Sequence, residues 1–221
     1  MSKIQVFPSI LSADFSCLGA EAKRLEEAGA DGIHIDIMDG HFVPNLTLGP
    51  KAVEAIKRSC TLFLDVHIMI YNPFDYVERL VKAGADRITF HFEATENVLD
   101  TLQYIKKCNV QAGLAFCPET PFSMVVPFLD KCDLILLMTV HPGFGGQAFK
   151  EEVLEKISLT RDMLKKINLQ NKVVLQVDGG INEKTALMCR EKGANCLVAG
   201  TYLFQQKNLS EGIQKLKTGT I

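Results

Sequence analysis

A short helix–glycine–strand unit recurs along this chain and constrains its fold more than any other feature. The unit has the sequence AGAD at residues 28–31 and 83–86, and KGAN at residues 192–195. Each copy ends a charged, amphipathic stretch and leads into a short apolar one. Gly29, Gly84 and Gly193 supply the left-handed residue that commonly follows a helix end, so the pattern predicts helices that return directly into strands.

Strand-like and helical segments alternate along the whole chain. The predicted strands cover residues 4–7, 32–37, 62–66, 87–90, 111–115, 134–138, 173–177 and 196–198. Helical patterns lie between them at residues 19–28, 49–59, 73–83, 96–107, 121–129, 151–167 and 184–192. Strict alternation implies parallel strands, and eight of them in 221 residues predict an α/β fold with a single (β/α)8 TIM-barrel domain over residues 1–221.

A doubly wound open sheet is the alternative fold. Such a sheet usually carries a glycine-rich dinucleotide turn after its first strand, and residues 8–12 (PSILS) form no such turn. The sequence therefore favours the closed barrel.

Charge and composition exclude several classes of partner. The 24 basic and 26 acidic residues are interspersed and give a net charge of -2, so no basic stripe is available for nucleic acid. The longest strongly apolar stretch, residues 134–140, is too short to span a bilayer, and we expect no membrane partner. The seven cysteines form no C-x-x-C pair and predict reduced thiols in a cytoplasmic protein.

Four side chains of metal-binding type lie at or near the ends of predicted strands: His34, Asp36, His67 and Asp178. His34 and Asp36 share one strand face because they are two residues apart. The carboxyl ends of barrel strands meet at one mouth, where active sites of this fold lie. A single histidine would more commonly be a core residue, but two imidazoles and two carboxylates together predict one divalent cation: Zn²⁺, Fe²⁺, Co²⁺ or Mn²⁺.

Glycine recurs in the loops after the sixth, seventh and eighth strands. These loops contain residues 141–147 (HPGFGGQ), 179–180 (GG) and 200–201 (GT). Glycine lets backbone N–H groups approach an anion closely, and the loops after strands 7 and 8 commonly bind phosphate in this fold. The sequence therefore predicts a barrel of the phosphate-binding type.

The two aspartates suggest a reaction. Asp36 and Asp178 belong to strands three steps apart in an eight-strand ring, so they are predicted to face each other across the mouth at roughly 135°. Opposed carboxylates can serve opposite faces of one carbon atom. One removes a proton next to a carbonyl, the metal holds the oxygens of the enediolate, and the other carboxylate returns a proton from behind. We therefore expect epimerisation of a sugar phosphate.

Other notable side chains have weaker interpretations. Three methionines fall near the predicted ligands, and adaptable core packing is favoured over a role as sulfur walls that keep water from the intermediate: Met38, Met69 and Met138. The remaining histidines are predicted to lie in loops or behind the ligands: His41, His91 and His141.

Several long motifs resemble one enzyme family. They are residues 8–14 (PSILSAD), 34–40 (HIDIMDG), 42–45 (FVPN), 65–69 (DVHIM), 140–147 (VHPGFGGQ) and 177–181 (VDGGI). In this order they are similar to ribulose-phosphate 3-epimerase, and the resemblance runs from about Pro8 to Thr201. It implies interconversion of D-ribulose 5-phosphate and D-xylulose 5-phosphate in the pentose phosphate pathway.

The resemblance also implies roles for individual residues. Asp36 would be the proton acceptor and Asp178 the donor, and one divalent ion, with Zn²⁺ favoured, would be held by His34, Asp36, His67 and Asp178. The substrate would be bound by Ser9, His67, Gly143, Phe144, Gly145, Gly146, Asp178, Gly179, Gly180, Gly200 and Thr201. Family members commonly associate, so a homo-oligomer is expected. Thr201 replaces the usual serine of the family, and we expect a small effect on phosphate affinity.

Three alternatives remain open. A similar barrel could epimerise a hexulose 6-phosphate such as allulose 6-phosphate. A related decarboxylase would have Asp-x-Lys at a strand end, where this chain has Asp65-Val66-His67. A non-catalytic barrel could bind a sugar phosphate as a sensor, although both carboxylates needed for catalysis are present.

Overall fold

Eight parallel strands form the centre of the molecule in a computed structural model that describes residues 3–219. Within that range the strands are β1 (Gln5–Pro8), β2 (Gly32–Met38), β3 (Phe63–Met69), β4 (Arg87–His91), β5 (Gln111–Phe116), β6 (Leu134–Met138), β7 (Val174–Asp178) and β8 (Cys196–Ala199). They pair in the order β1-β8-β7-β6-β5-β4-β3-β2. A parallel bridge between Ser9 and His34 joins the two edge strands. The result is a nearly closed barrel, as predicted.

Helices connect the strands and cover the outside of the barrel. In the described range the α-helices are α1 (Leu18–Glu27), α2 (Pro50–Ser59), α3 (Val77–Ala83), α4 (Val98–Lys107), α5 (Phe122–Val125), α6 (Val153–Lys166), α7 (Glu183–Glu191), α8 (Thr201–Phe204) and α9 (Leu209–Thr218). Short 3₁₀ helices span Ile10–Ser12, Phe15–Cys17, Pro73–Tyr76, Phe92–Ala94 and Val126–Phe128. Each helix between residues 3 and 219 is too short or too polar to cross a membrane.

The glycine pattern is confirmed, and several element bounds differ from prediction. Gly29, Gly84 and Gly193 have φ values of 82°, 99° and 104°, so each takes the left-handed conformation after a helix. The predicted helix over residues 121–129 divides into α5 and a 3₁₀ turn, because Pro127 offers no N–H to continue an α-helix. Helices α8 and α9 were not predicted.

Strand β2 illustrates how the fold positions polar side chains. All seven of its residues are buried, because helices cover the outer face while the inner face lines the barrel. Ile33, Ile35 and Ile37 pack into the main core between strands and helices. The alternate residues face the barrel interior, and the β2–β3 register pairs His34 with Asp65 and Asp36 with His67.

Candidate active site

The four predicted metal ligands converge from β2, β3 and β7; Asp178 ends its strand, whereas His34, Asp36 and His67 lie within theirs. His34 Nε2 lies 3.3 Å from both Asp36 Oδ1 and His67 Nδ1. His67 Nδ1 lies 3.1 Å from Asp36 Oδ1. Asp178 Oδ2 lies 3.7 Å from His34 Nε2 and 3.9 Å from His67 Nδ1. One ligand atom from each of the four residues therefore lies within 4.8 Å of the ligand atoms of the other three.

These spacings fit a small divalent cation. Bonds of 2.0–2.1 Å to nitrogen and oxygen in a tetrahedron place neighbouring ligand atoms roughly 3.3–3.4 Å apart. The separations of 3.1 to 3.9 Å in the cluster bracket that value. Two imidazoles and two carboxylates also suit Zn²⁺, Fe²⁺, Co²⁺ or Mn²⁺ better than an ion that prefers oxygen alone.

Asp65, Arg87 and Gln176 form a hydrogen-bonded group, here called the clamp, that holds His34 on the side away from the cluster. His34 Nδ1 lies 2.9 Å from Asp65 Oδ2, which leaves Nε2 for the cluster. Asp65 also accepts hydrogen bonds from Arg87 Nε at 2.8 Å and from Gln176 Nε2 at 2.7 Å. Burial alone would lower the pKa of His34, but Asp36 and Asp65 raise it well above its usual value.

The clamp was missed in the sequence, although a signal for part of it was present. Asp65 lies two residues before His67, and Gln176 lies two residues before Asp178. The rule that places His34 and Asp36 on one face applies equally to these pairs. Arg87 lies between two rings, with its guanidinium carbon 5.4 Å from the centroid of Phe7 and 5.1 Å from that of Phe63.

The other histidines divide into two groups. His91, at the end of β4, is fully buried and lies behind His67, with 2.9 Å between their Nε2 atoms. His41 and His141 lie in exposed loops. Of the two predicted locations, His91 therefore occupies the one behind the ligands, and His41 and His141 lie in loops.

The two carboxyls of the cluster differ in proton affinity. Burial alone would raise the pKa of Asp36, but His34 and His67 hold it well below its usual value. Burial, and then the charge of Asp36, raise the pKa of Asp178 to about 7. Environments that separate the pKa values of two carboxyls allow one to accept a proton while the other donates one.

A cavity of about 400 Å³ opens above the cluster. Ser9, Asp36 and Asp178 line its inner end, while His34 and His67 have no exposed side-chain surface and lie beneath it. Its walls include the three methionines of the sequence analysis, Met38, Met69 and Met138. These side chains thus border the cavity as well as the core.

The predicted glycine loops form the outer end of the same cavity. Its lining includes Gly143, Phe144, Gly145, Gly146, Gly179, Gly180, Gly200 and Thr201. A Cβ built on Gly145 or Gly146 would lie 3.8 or 4.0 Å from Thr201 Oγ1, so the loops after β6 and β8 are neighbours. None of the described residues that line the cavity is lysine or arginine, so an anion here would depend on backbone N–H groups and on side-chain donors such as the Thr201 hydroxyl and the His141 ring.

Close packing explains two of these glycines. A Cβ on Gly200 would lie 2.6 Å from Ser12 Oγ, and one on Gly180 would lie 2.9 Å from the backbone nitrogen of Phe149. Gly180 also has a φ of 64°, which other residues rarely adopt. A side chain at position 180 would displace the backbone of the loop that borders the cavity, whereas one at position 200 would displace the Ser12 hydroxyl.

Two solved structures share this architecture at low sequence identity. One of KGPDC from Streptococcus mutans matches with a TM-score of 0.72 over 99% of this chain and 97% of that chain, at 14% identity. One of tryptophan synthase from Mycobacterium tuberculosis has a TM-score of 0.71 over 98% and 92%, also at 14% identity. Fold and site together define a (β/α)8 barrel with a ligand cluster and glycine loops around one cavity.

Sequence relatives define the family. The model of the ribulose-phosphate 3 epimerase family matches residues 5–204. Ribulose-phosphate 3-epimerase from Chlamydia pneumoniae is 54% identical over 94% of this chain and 90% of its own length. The Bacillus subtilis enzyme of that name is 47% identical over 97% and 98%. The chain belongs to the ribulose-phosphate 3-epimerase family, which confirms the resemblance and the prediction of an enzyme.

Proposed function

We propose that this enzyme interconverts D-ribulose 5-phosphate and D-xylulose 5-phosphate by transferring a proton at C3 between two carboxylates and the substrate. The observation that carries the proposal is the meeting of Asp36 from β2 and Asp178 from β7 beside one cavity, with ligand atoms within 4.8 Å. Family membership supports the pentulose phosphate as substrate.

Asp36 acts as proton acceptor from ribulose 5-phosphate, and Asp178 donates a proton to the opposite face of C3. Their roles exchange in the reverse direction. Ser9 Oγ donates a hydrogen bond to Asp36 Oδ2 at 2.6 Å, which fixes the carboxylate with Oδ1 toward the histidines. Ser9 also lines the cavity and is within the region where the sugar would lie.

We propose a single divalent ion, with Zn²⁺ favoured, held by His34, Asp36, His67 and Asp178. When bound, such a cation supplies positive charge that stabilises the enediolate oxygens. Met38, Met69 and Met138 exclude water from the same space without offering a proton.

The phosphate group is proposed to lie in the loops at the outer end of the cavity. Gly143, Phe144, Gly145, Gly146, Gly179, Gly180, Gly200 and Thr201 surround it in this proposal. A direct sugar contact by His67 stays a prediction, because its side chain lies beneath the cavity.

Substrate comparison tests this function. Ribulose 5-phosphate and allulose 6-phosphate are each incubated with the metal-loaded enzyme, and the 3-epimers are separated and quantified. We expect kcat/KM to be about tenfold or more higher for ribulose 5-phosphate, as for discrimination by one carbon unit. A preference for allulose 6-phosphate would support the hexulose alternative, while binding of both without turnover would support a non-catalytic sensor.

Metal dependence has its own test. Dialysis against a chelator should abolish turnover, and adding back Zn²⁺, Fe²⁺, Co²⁺ or Mn²⁺ singly should restore it to different extents. Full turnover at a metal content near zero would contradict the proposed site.

We also propose a homo-oligomer, because members of the resembled family commonly associate, and a cytoplasmic location, because the cysteines predict reduced thiols. Light scattering coupled to size-exclusion chromatography should give a mass that is a multiple of 24.5 kDa. A mass of one chain at micromolar concentration would contradict it.

A further inference from the structure

The second nitrogen of His67 has a partner outside the ligand cluster. His67 Nδ1 faces Asp36 and His34, whereas Nε2 lies 2.9 Å from Nε2 of His91. Both rings are fully buried. Two ring nitrogens at this distance share one proton, so one donates and the other accepts.

The other nitrogen of His91 faces a carboxylate. His91 Nδ1 lies 3.2 Å from Glu93 Oε2. Glu93 is itself fixed, because Oε1 accepts a hydrogen bond from the backbone nitrogen of Cys117 at 2.9 Å and another from Thr120 Oγ1. An ionised carboxylate can only accept, so it places the His91 proton on Nδ1 and leaves His91 Nε2 as an acceptor.

We propose that Glu93 and His91 are positioning residues that, against the attraction of Asp36 Oδ1 at 3.1 Å from Nδ1, keep the proton of His67 on Nε2 and so leave His67 Nδ1 free to bind the cation. This inference rests on the metal site of the proposed function. The order of bonds is His67 Nε2–H to His91 Nε2, then His91 Nδ1–H to Glu93 Oε2. Partners of this kind orient metal-binding histidines and commonly change metal affinity 10- to 100-fold.

The same groups offer a competing arrangement. His91, Glu93 and Cys117 can bring one ligand atom each within 4.8 Å of one another, as a second metal site would require. However, His91 Nδ1 is occupied by its proton when it donates to Glu93. Burial, and then the charge of Glu93, raise the pKa of the Cys117 thiol far above its usual value, which disfavours the thiolate that a metal needs. The geometry therefore favours the hydrogen bonds from His67 through His91 to Glu93 over a second cation.

Glu93→Gln tests the donor-to-acceptor direction of the hydrogen bonds from His67 through His91 to residue 93, because glutamine has nearly the same size and shape as glutamate. The amide oxygen can still accept from Cys117 N and Thr120, so the amide NH₂ then faces His91 Nδ1. His91 must accept there, and its proton moves to Nε2, opposite the Nε2–H of His67. His67 relieves this conflict by carrying its proton on Nδ1, the atom that should bind the cation. We expect the Kd for Zn²⁺, measured by chelator competition, to rise about 10- to 100-fold.

The tautomers of His67 and His91 distinguish a positioning role from a purely structural one, because a structural role does not require a particular ring nitrogen to carry the proton. In the Zn²⁺-loaded protein, ¹⁵N NMR of the ring nitrogens should show His91 protonated on Nδ1 and His67 on Nε2. Finding the proton of His91 on Nε2 in the unaltered protein would overturn the inference even if Glu93→Gln fails to fold.

Two control variants separate the possible results. Glu54→Gln changes a partly exposed glutamate on α2 that pairs with Lys51 and Arg58, and should leave the Zn²⁺ Kd unchanged. Cys117→Ser should also retain one equivalent of Zn²⁺ at wild-type affinity, whereas loss of a second equivalent would support the competing metal site and overturn the inference. Wild-type affinity in Glu93→Gln contradicts the inference alone. No Zn²⁺ binding by the unaltered protein contradicts the proposed metal site as well.

Discussion

The two halves of the cavity are built in different ways. The cation half consists of His34, Asp36, His67 and Asp178, whose side chains project from strands. The glycine half consists of residues 142–147, 179–180 and 200–201, which lie in loops or at the start of α8. His34 and His67 have no exposed side-chain surface, whereas Phe144 is 53% exposed.

The two halves therefore differ in how firmly their groups are held and in how open they are to solvent. In the cation half, hydrogen bonds behind the histidines fix their orientation before any ligand arrives. In the glycine half, no lysine or arginine stands among the described lining residues, and we propose that an anion is held there by backbone N–H groups and side-chain donors. Substitutions in the first half should therefore affect chemistry and stability, and those in the second should affect substrate affinity.

The largest expected effect is that of Asp36→Asn. The amide keeps the size of the side chain and can still accept from Ser9, but it cannot take a proton. We expect kcat to fall about 10²- to 10⁴-fold with an unchanged circular dichroism spectrum. Steady-state kinetics at matched metal content measure the effect. A wild-type kcat would remove this carboxylate from the mechanism.

Asp65→Asn should cause the next largest change, in stability. The substitution leaves the buried Arg87 without its carboxylate, and uncompensated buried charges commonly cost about 3–5 kcal/mol. Urea unfolding measures the loss. Asp162→Asn, which breaks an exposed pair with Lys165, is the matched control and should leave the free energy of unfolding nearly unchanged. Equal effects of the two substitutions would contradict the clamp.

Gly180→Ala tests the glycine half. The new methyl group would press on the backbone of Phe149 and displace the loop, so we expect KM for ribulose 5-phosphate to rise about 10- to 100-fold, as for loss of a hydrogen bond to a charged group. The Kd for Zn²⁺ should not change. Gly29→Ala is the control, because Gly29 has a similar positive φ of 82° but lies after α1 with no atom near its added Cβ. A rise in KM in both variants would indicate general strain.

The smallest effect is expected for Thr201→Ser. The hydroxyl is kept and only a methyl group is lost, so KM should change by less than about twofold, whereas Thr201→Val should raise KM about tenfold because it removes the hydroxyl. Initial rates at varied substrate concentration distinguish the two. Equal KM values in the two variants would exclude a hydroxyl contact with the phosphate.

The sequence predicted the cation half better than its supports. A period of two along a strand places His34 with Asp36, and the barrel mouth brings His67 and Asp178 to them. The supports required pairings that local patterns do not contain. Gln176 donates to Asp65 across 111 residues of chain, and Arg87 reaches the same carboxylate from β4.

The bounds of the strands were also predicted better than those of the remaining elements. Strands were located within a few residues because buried parallel strands are continuous apolar runs. The end of β3 was placed too early: the strand continues to Met69, beyond His67. Helices α8 and α9 were missed. The glycine loops could be located by composition, but their closeness to one another depends on the closed barrel.

Deuterium exchange by Asp178→Asn tests the central claim, that two opposed carboxylates serve opposite faces of C3. Each pentulose 5-phosphate is incubated separately in D₂O with metal-loaded enzyme, and deuterium at C3 is measured by NMR. We predict that the variant forms no epimer but still exchanges the C3 proton of ribulose 5-phosphate through Asp36, and leaves that of xylulose 5-phosphate in place. Exchange of both substrates, or continued epimerisation, would contradict the two-carboxylate mechanism.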